Sequence, residues 1–136
     1  MEITNKKLWK IGLILWGIII SILIIIFIIC IILKPKPDVN GFSTAIETYL
    51  SNNDNIIDLD YIDDDIYKIT VSDVWYNSSE IEKIKFCNSI RNVFTTYAWE
   101  FNIISDSKLI YIYFYDKDQI KVAQPGFALD DYEILH

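Results

Sequence analysis

The sequence predicts an α+β protein: one N-terminal transmembrane helix, followed by a small domain with an antiparallel sheet of four or five strands and two packed helices. Three observations predict this fold. Residues 11–33 form an uncharged apolar run, two later segments repeat apolar residues at helical spacing, and several short segments alternate apolar with polar residues.

The apolar run is long enough to cross a membrane. Its 23 residues are interrupted only by Gly12, Gly17 and Ser21, and as a helix they extend roughly 34 Å, against a hydrocarbon core of about 30 Å. The run exceeds the apolar region of a cleavable signal peptide, and no A-x-A-like site follows it. A lipoprotein signal is disfavoured because Ile29 occupies the position before Cys30, where a small residue is needed. We therefore expect a signal-anchor helix that is not cleaved.

Charge is divided unevenly along the chain. Residues 1–36 carry five lysines against Glu2, whereas residues 37–136 carry seven basic and eighteen acidic side chains, a net charge of −11. Such a domain repels the phosphates of nucleic acids, so nucleic-acid binding is not expected. More positive charge precedes the apolar run than follows it, which predicts a cytoplasmic N-terminus and an extracytoplasmic C-terminal domain. Cys30 and Cys87 lie in different surroundings, so no intramolecular disulfide is expected.

The chain divides into four predicted regions. They are a basic N-terminal flank over residues 1–10, the transmembrane helix over 11–33, a Pro/Lys spacer over 34–40 and the acidic α+β domain over 41–136. Pro35 and Pro37 each disfavour helix at the preceding residue, so the spacer should be extended. At about 3.1 Å per residue it would hold the domain about 20 Å from the bilayer.

Two helices are predicted in the domain. The first has Asn40 or Ser43 as its cap, and its apolar face comprises Phe42, Ala45, Ile46, Tyr49 and Leu50. The second begins at Ser79, because Glu82 three residues later completes a capping box. Its apolar face comprises Phe86, Cys87, Ile90, Val93, Phe94 and Tyr97. Each helix therefore has one face that can pack against a sheet.

Five segments are predicted as strands. Residues 57–61 and 67–71 alternate apolar and polar side chains on either side of an aspartate turn at 63–65, which predicts a hairpin. Three further candidates are 99–104, 109–115 and 119–123, of which 109–115 is apolar on both faces and should be central. An acidic tail follows, and its apolar residues can pack back onto the domain: Phe127, Leu129, Tyr132, Ile134 and Leu135.

The domain offers few groups for catalysis or metal binding. The single histidine, His136, stands last in the sequence and is expected to be mobile, so a histidine-based nucleophilic centre is not expected. The sequence has no zinc-ligand spacing and no glycine-rich phosphate loop. The aspartates of residues 54–65 lack the glycine and closing glutamate of an EF-hand, leaving a weak calcium site at 63–65 as the alternative to a solvated turn. We predict no enzyme activity, no cofactor and no functional metal site.

Aromatic side chains are the candidate contact residues. Trp75 and Tyr76 lie between the second strand and the capped helix, where such a pair either contacts a partner or pins the helix against the sheet. Tyr111, Tyr113 and Tyr115 share one face of the predicted central strand. That face is either covered, most simply by the first helix, or exposed as a binding platform.

These observations predict a non-enzymatic module for protein–protein interaction, held near the membrane and directed at an envelope or membrane protein. The alternative is a small subunit of a membrane complex, whose transmembrane helix packs with other subunits. Gly12 and Gly17 are five residues apart and do not form the four-residue pattern of closely packed membrane helices. The sequence therefore favours the soluble domain as the place where the partner binds.

Overall fold

The computed structural model describes residues 4–63, 65–104, 108–127 and 131–136. The chain forms two compact units, Met1–Lys36 and Pro37–His136. The helices of the described residues are α1 (Asn5–Ile32), α2 (Val39–Ser51), a 3₁₀ helix (Asp73–Asn77) and α3 (Glu80–Glu100). The strands are β1 (Ile56–Asp63), β2 (Ile66–Val71), β3 (Tyr111–Tyr115), β4 (Lys121–Gln124) and β5 (Glu133–Ile134).

The first unit consists of α1, a helix of 28 residues that is long and apolar enough to span a membrane. It begins at Asn5, inside the predicted basic flank, and ends at Ile32, one residue before the predicted end of the span. The Ser21 hydroxyl donates a hydrogen bond to the Gly17 carbonyl oxygen at 2.8 Å. This internal bond satisfies the polar group of Ser21 within the helix.

The second unit has the predicted α+β class, with a five-stranded sheet in the order β1-β2-β3-β4-β5. The β1–β2 hairpin is confirmed, but the sheet is mixed rather than antiparallel, because β2 and β3 run parallel. The predicted strand at 99–104 is wrong: α3 continues through Glu100 and a turn follows it. Without that strand, the 3₁₀ helix and α3 form a crossover connection from β2 to β3, as a parallel pair requires.

Both α2 and α3 pack on the same face of the sheet. The ring of Phe42 in α2 lies 6.2 Å from that of Tyr67 in β2 and 6.5 Å from that of Phe94 in α3, measured between centroids. The largest fully buried side chains form this core: Phe94, Phe114, Ile69, Ile90, Ile110, Ile112, Val122 and Cys87. The sheet therefore has one covered face.

The starts of the two helices differ in how well the sequence predicted them. The capping box of α3 is confirmed: Ser79 N donates to Glu82 Oε2 at 2.8 Å, and Glu82 N donates to Ser79 Oγ at 3.3 Å. The cap of α2 is neither Asn40 nor Ser43 but Asp38, whose Oδ1 accepts a bond from the Gly41 amide at 2.9 Å. The helix therefore begins at Val39, within the predicted spacer.

Two local predictions are corrected by the strand register. A register shift between Ile56 and Asp58 leaves Ile57 exposed, so Ile56 instead packs against the core. In the tail, Tyr132 is buried and donates to the Ile112 carbonyl oxygen at 3.0 Å, whereas Phe127 is 95% exposed. Asp64 of the predicted turn and Leu129 of the tail lie outside the described residues.

Candidate functional site

Three of the five predicted contact residues lie on the open face of the sheet. Tyr67 pairs with Ile112 in the parallel register, and both side chains are buried against the helices. Because side chains alternate along a strand, Tyr111, Tyr113 and Tyr115 point to the opposite face. The two α-helices of the second unit, α2 and α3, pack on the face that carries Tyr67, so α2 does not cover the tyrosines. Each of the three is half-buried.

Two lysines flank these tyrosines on the same face. Lys68 Nζ lies 4.7 Å from the ring centroid of Tyr115 and donates to Gln119 Oε1, while Lys121 Nζ lies 5.2 Å from the centroid of Tyr113. Contacts of this kind contribute about 0.5–1 kcal/mol at exposed sites. In the described part of the chain, neither ammonium lies within ion-pair distance of a carboxylate. We call Tyr111, Tyr113, Tyr115, Lys68 and Lys121 together the tyrosine face.

Trp75, the fourth predicted contact residue, is part of the core instead. It is 5% exposed and its ring stacks on that of Phe114, with an interplanar angle of 12° and centroids 6.4 Å apart. Its indole Nε1 donates to the main-chain oxygen of His136 at 2.8 Å. Trp75 therefore pins the tail and α3 to the sheet, and the main chain of His136 is held rather than free.

Tyr76, the fifth, is 49% exposed but its hydroxyl is occupied. It donates to Asp116 Oδ2, a carboxylate whose Oδ1 accepts bonds from the amides of Asp118 and Ile120, each at 2.9 Å. The hydrogen bond from Tyr76, followed by that from Ile120, lowers the pKa of Asp116. The same bond raises the pKa of Tyr76 to about 12. The pair therefore fixes the β3–β4 turn, and the occupied carboxylate is not available as a general base.

The structure also has a groove that sequence reasoning missed. Two adjoining clefts of about 600 and 550 Å³ run between α2 and β1 and share Glu47 and Leu59 in their walls. Their apolar lining includes Ile46 and Leu50 of α2, and Leu59 and Tyr61 of β1. We call this space the β1 groove. The exposed apolar residues of the first strand were the only signal for it, because the position of that strand in the sheet is not a local property.

Groups with reactive chemistry are few among the described residues. Within those residues, no three His, Cys, Asp or Glu side chains lie close enough together to hold a metal ion. Cys87 is fully buried, and its burial raises the pKa of the thiol far above the usual range, so the protonated form predominates.

Comparison with known proteins gives no relative on which to base a function. No family model matches the sequence, and no curated protein or solved structure matches it either.

Proposed function

We propose that this is a single-pass membrane protein whose C-terminal domain binds a partner protein close to the membrane and catalyses no reaction. One observation carries the proposal: both α2 and α3 pack on the same face of the sheet and leave the tyrosine face open. A sheet face that is exposed to water normally carries polar side chains. Here the central strand presents three half-buried aromatic rings to it.

The composition of the tyrosine face suits a protein partner. Tyrosine is enriched in protein interfaces, because its ring buries a large apolar area while the hydroxyl retains a hydrogen-bonding partner. The cation–π contacts of Lys68 and Lys121 hold the neighbouring rings in defined positions. Ordering the side chains before binding reduces the entropy that association must overcome.

The length of the tether favours a partner at the same membrane. Helix α1 ends at Ile32 and the folded unit begins at Pro37. The chain between them can extend at most about 18 Å. With the proposed cytoplasmic N-terminus, the domain would act at the outer surface of that membrane.

Site-specific crosslinking in native membranes tests this proposal. A photoreactive phenylalanine analogue at Tyr113 should yield one discrete crosslinked protein, because the analogue lies on the tyrosine face. The same analogue at Lys85, an exposed residue of α3, is the matched control. Equal products from the two positions, or none from Tyr113 in a folded protein, would contradict the proposal.

The second candidate function, a subunit that assembles through its transmembrane helix, has one observation in its favour. Gly17 and Ser21 are four residues apart, and the Ser21 hydroxyl is already bonded to the Gly17 carbonyl, which leaves a small patch on α1. Replacing residues 11–33 with an unrelated span separates the two functions. The partner crosslinked at Tyr113 is retained if the domain binds it and lost if the helix does.

A further inference from the structure

We infer that the β1 groove binds a short amphipathic helix of a partner protein, whose apolar stripe packs between α2 and β1 and whose flanking residues are lysines and arginines. This inference rests on the proposed function as a binding module, and it adds a second contact surface with the chemistry of the segment that occupies it. Three properties of the second unit support it: the layer of helices ends beside β1, the groove has the length of a three-turn helix, and acidic side chains line it.

The layer of helices on the covered face of the sheet stops at β2. Tyr67 and Ile69 of β2 are buried, and they pair in the register with Tyr61 and Leu59 of β1. Paired residues lie on the same face of a sheet. Tyr61 is nevertheless 60% exposed, and Leu59 is only half-buried. A further helix beside α2 would cover this part of β1 and extend the layer.

The groove runs along the whole of α2. Four exposed residues of this helix line the groove at intervals of four, which places them in one stripe: Val39, Ser43, Glu47 and Ser51. They span α2 from its first residue to its last, a distance of about 18 Å. A partner helix of about twelve residues has the same length. Because Ser43 and Ser51 are small, the axis of a neighbouring helix can approach α2 closely.

Apolar side chains in both clefts of the groove face water. Val39 lines one cleft and is 61% exposed, and Ile57 lines the other and is 58% exposed. The remaining apolar lining includes Ile46, Leu50 and Leu59. An apolar cleft of this size is typical of a binding site. The apolar residues of a docked helix, at i, i+3 or i+4 and i+7, would displace the water from it.

The hydrogen bonding of β1 favours a helix over an added strand. The Leu59 amide already donates to Asp58 Oδ1 at 2.9 Å, so a main-chain donor that an added strand would use is occupied. A helix forms the hydrogen bonds of its N–H and C=O groups internally. It can therefore bind through its side chains alone.

The walls of the groove are acidic. Among the described residues that line it, four are acidic and one is basic: Glu47, Asp54, Asp58 and Asp65 against Lys108. Within the described ranges, none of the four carboxylates forms an ion pair. Lysines or arginines beside the apolar stripe of a partner helix would lie next to them, and the domain's net charge of −11 increases the rate of encounter. The acyl chain of a lipid would leave these carboxylates unmatched.

The same charge disfavours a second copy of this chain as the occupant. Two domains of net charge −11 repel each other. Helix α2 contains no lysine or arginine, and α3 buries its apolar face in the core through Ile90 and Phe94. The partner helix is therefore assigned to another protein.

Peptide binding to the full-length protein in phosphatidylcholine nanodiscs tests the inference. The probe is a fluorescent peptide of about twelve leucine, lysine and alanine residues, with its leucines on one face of a helix and lysines on either side of them. Its binding is measured by anisotropy, and binding to empty nanodiscs is subtracted. It should bind more tightly than a peptide of the same composition whose leucines are spread around the helix, and a version with glutamate in place of lysine should not bind.

Two results of this experiment would overturn the inference. Equal binding of the two lysine peptides would indicate attraction by charge alone, without a docked apolar stripe. Binding no greater than that to empty nanodiscs would indicate partition of the peptide into lipid.

A groove-filling variant tests the location of the site. Ser43→Phe places a ring in the groove and should raise the Kd of the amphipathic peptide about tenfold. Thr44→Phe is the matched control, because Thr44 is the next residue of α2 and is exposed, but does not line the groove. The lipid is the same for both variants, so the comparison also removes any binding to the bilayer, and near-ultraviolet circular dichroism checks that both are folded. Equal Kd values for the two folded variants would overturn the inference.

A second pair of variants tests the role of the carboxylates without adding bulk to the groove. The double variant Glu47→Gln, Asp54→Asn should raise the Kd of the amphipathic peptide about fivefold. Glu80→Gln, Glu100→Gln removes the same charge from exposed positions at the two ends of α3 and should leave the Kd nearly unchanged. Equal effects of the two double variants would mean that only net charge matters, and would overturn the inference.

The two proposals can fail separately. A discrete crosslink from Tyr113, together with peptide binding that Ser43→Phe leaves unchanged, would overturn the groove inference and leave the binding module in place. Peptide binding that Ser43→Phe abolishes, without a crosslink from Tyr113, would support the groove inference and contradict the role of the tyrosine face.

Discussion

Asp116 fixes the turn between β3 and β4 through three hydrogen bonds. Two main-chain amides bond to its Oδ1 and the Tyr76 hydroxyl bonds to its Oδ2, while Gln119 in the same turn adopts a φ of 65°. A residue other than glycine rarely has positive φ. The bonds to the carboxylate offset that local cost. They also link the turn to the 3₁₀ helix, which contains Tyr76.

The pKa of Tyr76 provides a test of this network. A phenol that donates to a carboxylate loses that bond when it ionises, so Tyr76 should titrate near pH 12 rather than 10. Because the folded-state pKa is the higher one, the bond should stabilise the fold fully below pH 10, with this stabilisation lost as pH rises through 12. The measurement is the difference in phenolate absorbance between the native protein and Tyr76→Phe.

The partner of Tyr76 supplies the control for this titration. In Asp116→Asn the acceptor of the hydrogen bond has no charge, so the pKa of Tyr76 should fall toward its ordinary value of 10. At low pH the Asp116 carboxyl group has the opposite effect on the pH dependence of stability. The pKa of Asp116 is lowered, so its contribution to stability is present above the ordinary value of 3.8 and is lost as pH falls through the folded-state value. A Tyr76 difference titration centred at 10 in the native protein would contradict the hydrogen bond.

A second residue-scale prediction concerns Gly41 in the first turn of α2. A Cβ atom at this position would lie 2.7 and 2.8 Å from two ring carbons of Phe101, and it would also meet the carboxylate of Asp38. Gly41→Ala should therefore destabilise the domain by about 1–3 kcal/mol, as overpacking does. Chemical denaturation of the full-length protein in micelles, followed by near-ultraviolet circular dichroism, measures the change. Gly17→Ala is the control, since a Cβ there would have no heavy atom within 4 Å.

At the scale of elements, α3 organises the core. Phe94 is fully buried and its ring contacts those of Phe42 and Tyr67, at centroid distances of 6.5 and 5.3 Å. One side chain thus joins α3 to α2 and to the sheet. Its burial agrees with the helical register that the sequence predicted.

Truncation of Phe94 tests the energetic weight of this contact. Phe94→Ala should cost about 3–5 kcal/mol, through lost burial and the cavity left behind. That is a large share of the 5–15 kcal/mol typical of a whole domain, so the thermal midpoint should fall markedly. Phe127→Ala is the matched control, because Phe127 is 95% exposed and its truncation should change the stability of the domain little. Similar midpoints for the two variants would contradict the observed packing.

Elements defined by local signals were predicted well. The start of α3 follows from Ser79 and Glu82, which are three residues apart, and the β1–β2 hairpin follows from two alternating segments around a short turn. The parallel pairing of β2 with β3 could not be derived in the same way. It depends on where α3 ends, and the residues after Ala98 alternate in a manner that also fits a strand.

The candidate site was predicted only in part, because some of its features depend on contacts between distant segments of the chain. Alternation alone places Tyr111, Tyr113 and Tyr115 on one face of β3, and the structure agrees. Which face the helices cover is decided by packing between distant segments, so the open state of the tyrosine face could not be derived. The burial of Trp75 also depends on distant contacts, with Phe114 and with the main chain of His136.

At the scale of the whole molecule, the lysines on the two sides of the apolar run are the basis of the proposed orientation. Residues 1–36 carry five lysines and one glutamate, and the domain that follows has a net charge of −11. Lysines on the N-terminal side of α1 favour retention of that end in the cytoplasm. Acidic residues contribute little to this choice, so the prediction rests on Lys6, Lys7 and Lys10 before the apolar run, against Lys34 and Lys36 after it.

Cysteine labelling of intact cells tests this orientation. Asp118→Cys places a thiol in the exposed β3–β4 turn, where a membrane-impermeant maleimide should react with it from outside, after permeabilisation of an outer membrane where one exists. Asn5→Cys places a thiol at the start of α1, and it should react only once the inner membrane is opened. The native thiols should contribute little, because Cys87 is fully buried and Cys30 lies in the apolar part of α1. Labelling in the reverse order would place the acidic domain in the cytoplasm. The partner would then have to be sought there, since the tyrosine face and the β1 groove would face that compartment.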